Sequence, residues 1–114
     1  MLTIKQLRER DADRLAQIEN PNPTPAEMRA SMDKARHTMR LFYRFVAAYQ
    51  RSFFTEQEHG TADEIREADE KSEKAYIKAS EALKPYGLKI STPGLYPIID
   101  YENGCNFTYG HFYN

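Results

Sequence analysis

Three groups of residues have the types and spacing that chemistry could use. Cys105 is the only cysteine, with Asp100 upstream of it and His111 downstream. A thiol, a base and an orienting carboxylate are the parts of a nucleophilic site. They fall on a short turn-rich stretch, with no helix N-terminus to lower the thiol pKa. The plainer reading is a small apolar cysteine and a histidine near the end of the chain. In "EQEH", Glu56 and His59 stand at i, i+3, the spacing used by di-iron carboxylate bundles. Such sites need a second copy of the motif and further glutamates. Here there is one copy, at a helix end, where a histidine suits the dipole. Glycine-rich phosphate loops, nucleophile elbows and the HExxH zinc signature do not occur. The expectation is a chain without metal or cofactor, and not an enzyme.

The third group is a stripe of arginines: Arg29, Arg36, Arg40, Arg44 and Arg51. At ~100° per residue they share a sector of about 80°, with Tyr43 beside it. Residues 25–54 carry six basic and two acidic side chains, net +4. Arginine is suited to forked contacts with carboxylate and phosphate. Residues 63–74 are the counterweight, with six acidic and three basic side chains, net −3. In an antiparallel hairpin Arg51 would fall near Glu67, and Arg44 near Glu70 or Glu73, neutralising the stripe within the molecule. The other readings are an acidic protein partner and a nucleic-acid backbone.

These residues need elements to position them. "TIKQLRERDADRLAQIEN" (residues 1–20 with its flank) reads as a first helix capped by Thr3, with Leu7, Leu15 and Ile18 on one thin face. Pro21, Pro23 and Pro25 make residues 21–25 a stiff connector. Thr24 and Glu27 form a capping box with Pro25 at the first helical position, so a helix starts there. It runs over 25–59 on the stripe Met28, Met32, Ala35, Met39, Phe42, Val46, Tyr49, Phe53, which steps alternately by four and three. Leu41, Phe45 and Ala48 widen that face, so the C-terminal half should be the most buried part. Gly60 ends the helix.

A second capping box, Thr61 and Glu64, opens a helix over 61–84. Its inward set, Ile65, Ala68, Ser72, Ala75, Tyr76, Ala79, Ala82 and Leu83, is mostly small and permits close approach. Gly87 suits a left-handed turn at its end. The short link between these helices implies an antiparallel hairpin.

Residues 88–114 are turn-rich. "STPG" marks a turn, and Asn103-Gly104 between β-prone arms marks a hairpin. In its register Glu102 faces Cys105, Tyr101 faces Asn106 and Asp100 faces Phe107. Seven of the fourteen aromatics lie in the last thirty residues, so Phe107 and Tyr109 are expected in the core. Phe112 and Tyr113 could serve the core or a contact surface.

The fold class that follows is mainly α: a long antiparallel helical hairpin, a shorter N-terminal helix, and a small aromatic-rich C-terminal β-hairpin. The 114 residues suit one domain, and the net charge of −1 argues against a dedicated nucleic-acid binder. A lone cysteine and no apolar run of membrane length suggest a cytoplasmic protein. The expected function is non-enzymatic binding of another protein. Arg36, Arg40, Tyr43 and Arg44 would contact the partner, with His111, Phe112 and Tyr113 as anchors. By size and character alone, this suits an inhibitor of a bacterial defence system, of the anti-CRISPR kind, encoded by a phage or other mobile element. Nucleic-acid binding through the arginines is the alternative. A homodimer through the second helix is the expected self-contact.

Overall fold

The computed structural model describes residues 3–19, 22–101 and 106–108. Helix α1 is Ile4–Glu19, α2 is Pro25–Gln57 and α3 is Ala62–Leu83. A 3₁₀ turn, Lys84–Tyr86, leads to the strands β1 (Leu88–Ser91), β2 (Ile98–Tyr101) and β3 (Asn106–Thr108). The protein is mainly α with a small C-terminal antiparallel sheet in the order β1-β2-β3.

Both long helices begin where their capping boxes put them. The Thr24 hydroxyl accepts from the Glu27 amide at 3.2 Å, and Glu27 returns the bond to the Thr24 N–H. Thr61 and Glu64 do the same at the start of α3. Each cap satisfies two otherwise orphaned donors and contributes about 1 kcal/mol. The end of α2 differs from expectation. The left-handed residue is His59, at φ 59°. Gly60 is needed for closeness instead: a Cβ there would lie 2.8 Å from Thr55 Cγ2. Gly87, at φ 70°, does take the left-handed turn.

Helix α2 has 33 residues, so it spans roughly 50 Å. That is nearly the whole 53 Å length of the molecule. It packs against α1 on one side and α3 on the other. The core gathers at its middle: Ala35, Met39, Phe42, Phe45 and Val46 meet Leu15 of α1, Leu83 of α3, and Tyr86, Leu88 and Ile99 beyond. Burial is therefore central, not C-terminal. Phe53 and Phe54, near the last turns of α2, are 41% and 47% exposed. The middle of the heptad stripe is consumed within the chain.

Helix α1 docks through Ala12, Leu15 and Ala16, while Ile18 is exposed. Asp11 goes inward with them. Its Oδ2 accepts from the Tyr43 hydroxyl at 3.0 Å. Burial pushes the Asp11 carboxyl above its ordinary range, while Tyr43, Arg10 and Arg14 oppose that rise. Tyr43 is itself driven upward, by burial and by Asp11. The Arg8 guanidinium stacks 5.1 Å over the Tyr43 ring.

The sheet holds one strand more than the predicted hairpin. "LKIS" forms β1, which pairs Ile90 with Ile99 and Lys89 with Asp100. Its alternation of buried Leu88 and Ile90 around exposed Lys89 is the period-two signal of a half-buried strand. The β2–β3 register also differs from expectation. Asp100 opposes Asn106 rather than Phe107, and Ile99 opposes Thr108, so the extra residue in the bulge is Phe107. The Asn103-Gly104 turn lies outside the described residues.

Candidate surface site: two seams of the helical hairpin

Helices α2 and α3 run antiparallel, shown by Ser52 bonding Asp69 and by Phe45 meeting Tyr76 edge-to-face with ring centres 5.4 Å apart. Ala68, Ser72 and Ala79 lie buried along α3. These small residues let the helices approach closely, and the line of contact has a groove along each side.

One groove, of about 200 Å³, is lined by Leu41 and Arg44 of α2 and by Lys71, Lys74, Ala75 and Lys78 of α3. Four cations surround a floor of Leu41 and Ala75, and no carboxylate lines it, although Lys71 also pairs with Glu67 just outside at 3.6 Å. The sequence expectation set Arg44 near Glu70 or Glu73. The structure corrects this: α3 turns its lysines toward Arg44, and Glu73 lines the opposite groove. The reason is phase. Lys71, Lys74 and Lys78 recur at three and four, so they share one side of the helix, whereas Glu73 lies ~100° away from Lys74.

Arg40, one turn before Arg44, extends this face toward α1. It lines a smaller hollow with Lys5, Arg8, Glu9, Arg36 and Met39. Arg36 is the neutralised member of the stripe. Its Nε donates to Glu9 Oε1 at 2.6 Å and its Nη1 to Asp33 at 3.3 Å. These bonds hold its guanidinium above the ordinary arginine range. Arg51 shares a hollow with Glu64, Glu67 and Lys71, as the sequence suggested. Tyr43 is half-buried and bonded to Asp11, so it braces α1 behind the cationic face. His111, Phe112 and Tyr113 lie outside the described residues, as does Cys105.

The other groove, of about 530 Å³, has the opposite character. Phe45, Tyr49, Phe53 and Tyr76 wall it, Glu56, Asp69 and Glu73 rim it, and Ile90 and Thr92 of the sheet region close one side. The Ser52 hydroxyl donates to Asp69. The Tyr49 hydroxyl donates to the Gly94 carbonyl at 3.1 Å. Phe53 and Tyr76 are each 41% exposed. Sequence reasoning missed this groove. Its signal was present, since Asp69, Glu73 and Tyr76 recur at four and three along α3, but Tyr76 was assigned to the core.

The "EQEH" pair is split between two surfaces. Glu56 lines the aromatic groove, while His59 lines an open hollow at the α2–α3 turn with Phe54, Thr55 and Gly60. Among the described residues no group of three or more His, Cys, Asp or Glu is placed to hold a metal ion. No helix among them is long and apolar enough to cross a membrane. Comparison with known protein families, with curated proteins and with solved structures finds no match.

Proposed function

We propose that this protein is a non-catalytic binding module whose α2–α3 hairpin takes an acidic segment of another protein on its cationic side. One observation carries the reading: Arg44, Lys71, Lys74 and Lys78 converge on an apolar floor with no carboxylate among them. Like charges at i, i+4 on one helix cost a few tenths of a kcal/mol per pair. A surface that keeps Arg36, Arg40 and Arg44 on successive turns gives up stability for a cationic face. The floor of Leu41 and Ala75 favours an amphipathic acidic helix, whose carboxylates meet the cations while an apolar side chain seats between them. Occlusion of a partner's working surface is the action such a module performs. A mobile-element inhibitor of a bacterial defence system is one protein of that description, on grounds of size and character.

The absence of any lining carboxylate also favours a second reading, a nucleic-acid backbone along the same face. Fluorescence anisotropy with a labelled glutamate-rich helical peptide and with a duplex DNA separates them. The proposal expects peptide binding that is lost on Arg44→Glu with Lys74→Glu, and weak DNA binding. Tight DNA binding that falls by powers of ten between ~50 and ~200 mM salt, with no peptide binding, would replace it with the second reading.

A further inference from the structure

The two seams flank the same helix pair on opposite sides, and they match each other in charge. We infer that the acidic aromatic groove of one copy seats the cationic seam of the next, so that self-association competes with partner binding. This rests on the reading of the cationic face as a binding surface, and adds a second occupant for it.

The complementarity is residue by residue in kind. The groove offers Glu56, Asp69 and Glu73, with no lysine or arginine among its lining residues. The seam offers Arg44, Lys71, Lys74 and Lys78, with no carboxylate among its own. Tyr76 and Phe53 are partly exposed beside the groove's carboxylates. A guanidinium or ammonium there gains both a carboxylate and an aromatic face. Asp69 is held in place by Ser52, so part of the groove is already ordered. Each seam also carries a repulsive pair on α3, Asp69 with Glu73 in the groove and Lys74 with Lys78 opposite, and one contact between copies relieves both.

Geometry sets the form of assembly. The contact joins two different surfaces, so it is heterologous. Surfaces on opposite sides of a flat helix pair do not close on each other in a dimer. They extend into an open row, so mean mass rises with concentration and does not stop at two copies. The groove is short, about 17 Å from Phe45 to Glu56 along α2. A contact of that size is weak and salt-sensitive.

Sedimentation velocity on the full chain tests this, at rising protein concentration and at ~50 and ~500 mM salt. The expected result is concentration-dependent growth in low salt and a single copy in high salt. Two variants make the test specific. Arg44→Glu with Lys74→Glu breaks the seam and leaves the groove. Glu56→Gln with Glu73→Gln neutralises the groove, without making it complementary to the altered seam, and leaves the cationic seam. Each alone should remain a single copy, and an equimolar mixture should form a 1:1 pair at least tenfold more readily than either variant self-associates. These positions are exposed, and cooperative melting within a few degrees of the wild type confirms that both variants fold.

A wild-type chain that stays single in low salt, or variants that do not pair when mixed, would overturn the inference. So would a groove that binds a Gly-Arg-Gly-Arg peptide while the wild type stays single, because the occupant would then be a foreign basic segment. The groove variant keeps its cationic seam, so its binding of the acidic peptide tests the functional reading separately. Peptide binding without self-association would remove only this inference. Loss of peptide binding in that variant and in the wild type would remove the functional reading itself.

Discussion

The two seams of the α2–α3 hairpin are built from adjacent residues of the same two helices, yet they are chemical opposites. Leu41 and Arg44 face one way, and Phe45 and Tyr49 the other. On α3 the change from Glu73 to Lys74 crosses from the acidic side to the basic side. A rotation of ~100° per residue turns a charge-mixed sequence into two sorted surfaces. The lesson is that net charge over a segment is a poor guide to what a helix face presents. Residues 63–74 sum to −3, but their lysines all lie where the arginines of α2 are.

What separates the seams is the line of small residues between the helices, and the largest effects come from breaking what holds that line. Phe42 is fully buried at the centre of the core. Phe42→Ala should cost about 3–5 kcal/mol, lowering the melting point by more than ~10 °C and weakening both seams together. Ala79 is also fully buried, on the α3 side of the contact. Ala79→Leu should cost about 1–3 kcal/mol by forcing the helices apart. It should widen both grooves, so peptide binding and self-association should decline in step. If only one declines, the seams do not share the geometry described.

Lys74→Glu gives a smaller effect on stability. It replaces the Lys74–Lys78 repulsion with a favourable i, i+4 pair but turns the Glu70–Lys74 pair one turn back into a repulsion, so the melting point should hold within a degree or two while acidic-peptide binding falls about tenfold. A variant that melts like the wild type and still binds would break the assignment of this seam. Asp11→Asn acts away from both seams. The folded state holds the Asp11 carboxyl above its ordinary value of 3.8, chiefly by burial. Its contribution is therefore fully present below that value and is lost as pH rises through the raised one. Asparagine still accepts from Tyr43 but carries no charge. Melting points measured from pH 4 to neutrality should flatten in this variant and be higher than wild type at neutral pH. Both binding activities should be unchanged at fixed pH.

Much of the fold was legible because it depends on local rules. Both capping boxes, the length of α2, the hairpin with α3 and the left-handed Gly87 follow from residues within a few positions of each other. The misses came from what lies opposite. Nothing local to Phe53 and Phe54 says that they are left partly exposed. "LKIS" was short enough to be absorbed into a turn region, though Leu88 and Ile90 alternate around Lys89. His59 carries the left-handed turn because Gly60 is held against Thr55, a contact that residue preference does not reveal. For the site, the stripe was legible and its neutralisation was misassigned. Glu9 of α1, not α3, holds Arg36, and α3 leaves Arg44 among lysines.

The most direct test of the cationic face is an NMR titration of the full chain with the glutamate-rich helical peptide, following backbone amides. The account predicts shifts concentrated at residues 40–44 and 71–78, with Tyr49, Phe53, Glu56 and Thr92 of the other groove unmoved. Shifts centred on the aromatic groove, or on neither seam, would contradict it.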